Sequence, residues 1–381
     1  MIEGLNVLQP QLEMLSRSAR KIGTKVRRLF GRLRRPQRFI AYLLLKIAYF
    51  GRWTNVPATP VSVEIEPINN CNFRCKHCQT TRWTKAKAQL DIDNFRRILD
   101  QLPNLHEVNL QGMGEPLLNK QQIDLLAEGE RRGIAMRFHS NGSACTESNA
   151  RRLLGLTNTS VTFSIDGACA ETFERNRPGS NFAQIRRNIR YFTSARKGKT
   201  RPRISGWTVL TTDNIGELPQ IIRLCGELGL DHVTLQPFLT AWGKSELSDY
   251  VATVKVEPLE KACATLLREA RLAAHAAKID LSVVEPAAEI CPWPWQSAYI
   301  AANGDVIPCS LIADADVVKM GNVFETPFSE IWNGRAYRAL RAQIRKRDHP
   351  LFCQACHVRQ SNSYEPEVVA ALDDRVHTPM R

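Results

Sequence analysis

From Val61 onward the chain alternates short apolar runs with longer amphipathic stretches. The runs are Val61–Ile65, Glu107–Leu110, Ile134–Phe138, Ser160–Ile165, Arg203–Leu210 and His232–Leu235. Between them, Asp91–Leu102, Gln121–Arg132, Phe182–Ala195 and Asn214–Leu228 place apolar residues at helical spacing. Six strands alternating with helices predict an α/β fold of parallel βα units. Right-handed crossovers curl such units into a barrel or an open wound sheet, whose working residues sit at the carboxyl ends of the strands. Farther on, the alternating segment Tyr299–Ile307 contains Asn303-Gly304, the dipeptide of a tight hairpin. A helical pattern then runs from Phe328 to Arg345. These patterns divide the chain into a basic arm with an amphipathic, apolar helix over 1–60, a barrel over 61–280, a small α+β extension over 281–360 and a loose tail over 361–381.

Charge is concentrated at one end. The 381 residues carry a formal net charge of +14, and residues 1–60 hold twelve Lys or Arg against two Glu. The basic run Arg17–Arg38 is followed by the apolar stretch Phe39–Phe50, interrupted only by Lys46. Twelve residues are too few to span a bilayer, which takes about 20. The charged-then-apolar order is that of a signal peptide, but no small-residue cleavage pattern fits it. Basic residues beside an apolar helix suit an anionic membrane surface. The other readings are a helix that caps the barrel behind a solvated arm, and an arm for nucleic acid, which is disfavoured.

Cysteine supplies the candidate chemistry. Cys71, Cys75 and Cys78 lie in one loop after the first predicted strand, with gaps of three and two residues. Three thiolates can hold three irons of a [4Fe–4S] cluster and leave the fourth open. The alternative is a zinc knuckle with His77 as fourth ligand, although structural zinc favours two paired Cys motifs. A second set, Cys291, Cys309, Cys353 and Cys356, is separated by a wide gap, a longer gap and a closing two-residue gap. The hairpin brings the first two together and the following helix returns the chain to the last two. A four-thiolate zinc site and a disulfide pair are the alternatives here. Of the remaining four, Cys225 and Cys263 read as small core residues. Cys145 and Cys169 follow turns at the predicted working face. This usage implies a reducing, cytoplasmic interior, with the basic arm at the inner membrane surface.

The C-x3-C-x2-C loop resembles that of the radical S-adenosylmethionine (SAM) enzymes, and more of their pattern follows in order. Gly112-Met113-Gly114-Glu115-Pro116 looks like their glycine-rich GGEP turn, with Met113 replacing a glycine. Ser140-Asn141-Gly142 and Ser164-Ile165-Asp166-Gly167 close the third and fourth predicted strands, and Gln236 follows the sixth. Each alone is an ordinary turn former. The resemblance implies a partial (β/α)6 TIM-like barrel. It also implies SAM contacts from Gly112, Met113, Gly114, Glu115, Ser140, Asn141, Ser164, Asp166 and Gln236. The second cysteine set, with Gly304, Met320-Gly321-Asn322-Val323 and Ile331-Trp332-Asn333, looks like a SPASM or twitch extension. Full SPASM domains carry seven cysteines. Four resemble the one-cluster extension of 2-deoxy-scyllo-inosamine dehydrogenase, implying one auxiliary [4Fe–4S] cluster.

What the resemblance implies about activity is a 5′-deoxyadenosyl radical, made from SAM at the open iron, that takes a hydrogen atom from a substrate C–H bond. It also implies a flavodoxin- or ferredoxin-type reductant. The four-cysteine extension favours a small-molecule or glycan substrate, namely a sugar, aminocyclitol or glycolipid that is dehydrogenated or epimerised. In the epimerase case Cys169 is the candidate hydrogen donor. The alternative is a peptide- or protein-modifying maturase. An RNA-modifying methylase lacks the extension, and a non-catalytic iron–sulfur or zinc scaffold has no use for SAM contacts.

Overall fold

A computed structural model of the protein describes residues 35–82, 85–196, 201–237, 239, 241–254, 261–284, 290–354 and 356. All six predicted strands are present: β1 (Ser62–Ile65), β2 (Glu107–Asn109), β3 (Ala135–Ser140), β4 (Thr159–Ser164), β5 (Arg203–Val209) and β6 (His232–Gln236). A seventh, β7 (Asp280–Val283), was not anticipated. It is short, and its side chains are half-buried or exposed, so it lacks an apolar run. β1 to β7 pair side by side and in parallel. β8 (Tyr299–Ile300) adds in parallel to the free edge of β1, and β9 (Asp305–Ile307) and β10 (Gly321–Asn322) continue antiparallel. The result is one sheet in the order β10-β9-β8-β1-β2-β3-β4-β5-β6-β7. The fold is a partial barrel of parallel βα units carrying a C-terminal antiparallel extension.

Alternation along the strands sorts the two faces. Val63, Ile65, Val108, Met136, Phe138, Val161 and Phe163 are buried beneath the helices, against residues such as Phe95, Ile98, Ile185, Ile189 and Phe192. The opposite positions face the lumen and are polar: Glu64, Asn109, Arg137, His139, Thr162 and Thr234. Helix boundaries follow local chemistry. Asp91 accepts from the Asn94 amide at the start of helix Ile92–Asp100, and Asn181 does the same for Phe182–Ala195.

The extension contains the predicted hairpin, with Tyr299 opposite Ile307 and Ile300 opposite Val306. Gly304 has φ +88°, and a Cβ there would lie 2.4 Å from the Phe324 ring, so only glycine fits this turn. The single helix predicted over Phe328–Arg345 is instead two, Phe328–Trp332 and Arg335–Arg345. The break falls at Asn333-Gly334. Asn333 leaves the helix to accept from the Val56 amide at 2.9 Å and to donate to the Val56 carbonyl at 2.9 Å.

The helix Pro36–Phe50 packs Arg38, Ala41, Leu45 and Ala48 inward, and the basic arm before residue 35 and the tail 361–381 lie outside the described residues. Among the described residues no helix is long and apolar enough to cross a membrane.

Candidate active site at the strand carboxyl ends

The cysteine loop leaves the end of β1 and is tied down on three sides. Arg74 N donates to Pro178 O at 2.9 Å and Lys76 N to Asn176 O at 3.1 Å, which fixes it to the loop after β4. Gly114 N donates to Ile68 O and Glu115 N to Asn70 O, each at 3.1 Å, which fixes it to the turn after β2. A Cβ on Gly114 would lie 2.3 Å from Ile68 O, so this close approach needs glycine. Gln79 donates to Ile312 O at 2.9 Å, joining the loop to the extension.

The three thiols face a common space and influence one another electrostatically. Cys71 Sγ accepts from Phe73 N at 3.4 Å and Asn141 Nδ2 at 3.9 Å, and Cys75 Sγ from Arg177 Nη1 at 3.7 Å. Burial raises Cys71 and pushes Cys75 up to about 12, against the pull of Arg177. Thiols so placed are deprotonated on binding a metal, and donors to sulfur are what an anionic iron–sulfur group requires. The residues therefore fit a three-thiolate cluster. Among the described residues no three His, Cys, Asp or Glu groups are close enough to hold a single metal ion.

Behind the loop lies a network that sequence reasoning did not find. Arg177 Nε donates to Asp166 Oδ2 at 2.6 Å, His77 Nε2 lies 3.2 Å from the same oxygen, and Val209 N donates to Oδ1 at 2.8 Å. Asp166 is fully buried. Burial alone would raise its carboxyl, but Arg177 and His77 outweigh it and hold it at about 2. Asp166 is thus spent on bracing the cluster loop, and His77 engages it instead of acting as a thiolate partner. The signal available was the His inside the cysteine motif. Arg177, eleven residues past Asp166, gave none.

Glu115 is also committed internally. Its Oε1 accepts from Ser140 Oγ at 2.7 Å and Leu117 N at 3.1 Å, and its Oε2 from Asn141 N at 2.6 Å. Burial raises its carboxyl, and these donors oppose the shift. The Glu115 carboxylate fastens the turn after β2 to that after β3, while Gly112, Met113 and Gly114 form the turn around it. Asn141 donates to Asn72 at 3.0 Å, reaching the cysteine loop. Ser164 ends β4, and Gln236 at the end of β6 accepts from Trp207 Nε1 at 3.0 Å. Cys169 is exposed at the start of helix Ala170–Asn176, where its thiol lies 3.7 Å from both Thr172 Oγ1 and Glu217 Oε1. Cys145 is fully buried and pushed up to about 12 by that burial.

The second set also converges. Cys309 feels Cys291, Cys356 and Cys353, and Cys291 feels Cys356 and Cys353. Burial pushes Cys291 up to about 12 and also raises Cys309 well above the ordinary thiol range. Cys309 Sγ accepts from Leu311 N at 3.3 Å. Four half-buried thiols with a backbone donor fit a fully ligated cluster, and none of the eleven cysteines is in a disulfide. Between the two sets stands Glu66, which accepts from Met113 N at 2.9 Å, Tyr299 Oη at 2.8 Å and Ala302 N at 3.3 Å.

Comparison with known proteins agrees with this geometry. Residues 65–225 match the Radical SAM superfamily, and residues 291–357 match SPASM, an iron-sulfur cluster-binding domain. The tungsten-containing aldehyde ferredoxin oxidoreductase cofactor-modifying protein of Pyrococcus furiosus is 24% identical over 78% of this chain and 87% of its own. An AdoMet-dependent heme synthase of Methanosarcina barkeri is 26% identical over 76% and 86%. The mycofactocin maturase of Mycobacterium ulcerans is 27% identical over 45% of each chain. Among solved structures, Streptococcus suis SuiB bound to S-adenosylmethionine superposes with a TM-score of 0.63, at 18% identity over 84% of this chain and 78% of that one. SuiB bound to precursor peptide SuiA gives 0.60, at 17% identity over 77% and 69%. BtrN in complex with AdoMet and 2-DOIA gives 0.50, at 16% identity over 80% and 97%.

Proposed function

We propose that this radical SAM enzyme with a SPASM domain is a maturase that modifies a peptide. The observation that carries the chemistry is the set of three thiols at the end of β1, Cys75 buried and Cys71 and Cys78 half-buried, beside the turns after β2, β3 and β4. When bound, a [4Fe–4S] cluster and SAM supply a 5′-deoxyadenosyl radical able to take a hydrogen atom from an unactivated C–H bond. Cys71, Cys75 and Cys78 would hold that cluster. Arg177 and Asp166 keep Cys75 in place, and Asn141 keeps Cys71 in place. The Gly112-Met113-Gly114 turn and Glu115 would hold the SAM amino group. Cys291, Cys309, Cys353 and Cys356 would hold one auxiliary cluster.

The polar lumen wall suits a peptide. Gln111 Nε2 donates to Glu64 Oε2 at 3.5 Å, and Asn109 and Ser310 also serve that carboxylate. Asn109 Oδ1 and Gln111 Oε1 are left buried with no partner. Such acceptors call for N–H or O–H donors, which a peptide backbone supplies. Across the lumen, burial lowers His139 to about 4, leaving it neutral against Trp207. SuiB has been seen with a precursor peptide, which also favours this reading. The second reading, a sugar or aminocyclitol, rests on the four-cysteine extension and on the hydroxyl donors that a polyol would offer the same acceptors.

Anaerobic reconstitution tests the chemistry. The chain should bind about eight irons, as two [4Fe–4S] clusters, and form 5′-deoxyadenosine from SAM and a reductant. Replacing Cys71, Cys75 and Cys78 with Ala should remove half of the iron and all of the cleavage; cleavage that survives would end the radical SAM reading. Candidate peptides are then ranked by how far they stimulate 5′-deoxyadenosine formation. Stimulation by polyols alone would favour the second reading.

A further inference from the structure

The helix Pro36–Phe50 presents two apolar faces, and only one of them is used by the fold. Its inner face caps the amino-terminal ends of the strands, opposite the cysteine loop. Arg38 Nη1 donates to Gly133 O at 2.7 Å and Arg35 Nη1 to Arg132 O at 2.9 Å, just before β3. Tyr49 Oη donates to Ile290 O at 2.7 Å and Lys46 Nζ to Gln296 Oε1 at 3.0 Å, just before β8. Trp295 Nε1 donates to Trp53 O at 2.7 Å, which closes the end of the helix onto the extension. The helix is thus held firmly at both ends and cannot roll to hide its other side.

That other side carries Ile40, Leu43, Ile47 and Phe50, which recur at steps of three and four and form one stripe about 15 Å long. Ile40 is 54% exposed, Ile47 52% and Phe50 75%, and Trp53 continues the stripe beyond the helix end at 45%. A protein of this size exposes single apolar residues freely, but a contiguous stripe marks an interaction surface. No charged side chain lies on this exposed face; the polar residue there is Gln37.

The charge around the stripe selects the partner. From Arg17 to Arg52 the sequence holds twelve Lys or Arg and no Asp or Glu. Such density repels a second copy of the same face. It is attracted to a surface that is both negative and apolar beneath, with aromatic residues suited to the boundary between the two.

We propose that the outer face of helix Pro36–Phe50, with Trp53 and the basic run that precedes it, docks the enzyme on an anionic lipid surface. The cap and the membrane anchor, rival readings of the sequence, are two sides of one helix. Because the docking face lies at the amino ends of the strands, the docked enzyme presents the strand carboxyl ends and the Cys71/Cys75/Cys78 loop away from the lipid, while Cys291 lies near the helix end beside Tyr49. Peptide and reductant then reach it from the aqueous side.

The test is co-sedimentation of the full, cluster-loaded chain with vesicles of phosphatidylcholine alone or mixed with phosphatidylglycerol. Binding is expected only to the mixed vesicles, and it should weaken as salt shortens the Debye length from about 10 Å at 0.1 M to about 3 Å at 1 M. Changing Ile40, Leu43, Ile47 and Phe50 together to Ser should lower binding at least about tenfold, with iron content and thermal unfolding unchanged. Should that variant not fold, Phe50→Ser alone, at the most exposed position, should give a smaller loss in the same direction. Failure of the parent chain to sediment with mixed vesicles at low salt overturns the proposal. So does binding that neither variant weakens, since the stripe would then play no part. A dimer in solution that the stripe variant turns into a monomer overturns it in favour of self-association.

Discussion

At the scale of single residues, the site is governed by how buried charge is compensated. Arg177 is the clearest case: fully enclosed, it serves Asp166 through Nε and Nη2 and still reaches Cys75 Sγ at 3.7 Å through Nη1. Replacing it with Met leaves Asp166 buried with only His77 and a backbone amide, and stranding one member of a buried pair costs about 3 kcal/mol or more. The same change removes a positive donor from a cluster sulfur, which stabilises the oxidised form relative to the reduced. Arg177→Met should therefore lower the thermal midpoint, and the midpoint potential of the first cluster should become more negative. An unchanged potential in a variant that still holds full iron would show that Arg177 only supports packing. None of this network was legible in the sequence except its endpoints. Asp166 could be placed at a strand end because turn formers punctuate the pattern. Its partner could not, since Arg177 meets it through tertiary packing of the segment after helix Ala170–Asn176. Likewise Glu115 was found as a motif residue, but its internal partners were not. Its three internal donors come from β3 and from its own turn, and no periodicity encodes that choice.

At the scale of elements, the six central strands were legible because each has a buried apolar face against helices, which leaves a clear pattern. β7 escaped because it is half-solvated and, among the described residues, pairs only with β6. The hairpin was legible for a stereochemical reason: Gly304 occupies the left-handed region and abuts Phe324. The helix after it was read as one because Arg335–Arg345 continues the apolar spacing of Phe328–Trp332. The break is set by Asn333 binding Val56 on the far side of the chain, a tertiary contact that local pattern does not contain. The hairpin is the element on which the second cysteine set depends, since it carries Cys309 back toward Cys291. Gly304→Val should strain the turn and displace Phe324, costing about 1–3 kcal/mol. The expected readout is loss of iron from the auxiliary site while the iron of the first site is retained. Equal loss from both sites would mean that the hairpin supports the whole barrel edge.

At the scale of the whole molecule, the sheet runs without interruption from β10 to β7, so the extension is an outgrowth of the barrel edge at β1. Glu66 and Gln79 strengthen that junction. Glu66 holds the turn after β2 and the hairpin together, and Gln79 ties the residue after Cys78 to the loop after Cys309. The lumen carboxylate Glu64 is served from both sides of the same junction, by Gln111 and by Ser310. Its carboxyl, raised by burial to about 7, would face any substrate held between the two cysteine sets. This arrangement suits an auxiliary cluster that exchanges an electron with the substrate after hydrogen abstraction. Replacing Cys291, Cys309, Cys353 and Cys356 with Ala separates that role from mere support. The first cluster should remain, with about four irons, and SAM should still be cleaved, while formation of modified product should cease. Product formed at the parental rate by this variant would reduce the auxiliary site to a structural one. Zinc in place of iron at the second site of the parent protein would have the same consequence, because zinc cannot accept an electron. The first outcome would instead make the shared sheet edge the reason both sites work on one substrate: a rigid junction fixes the distance over which the electron must pass.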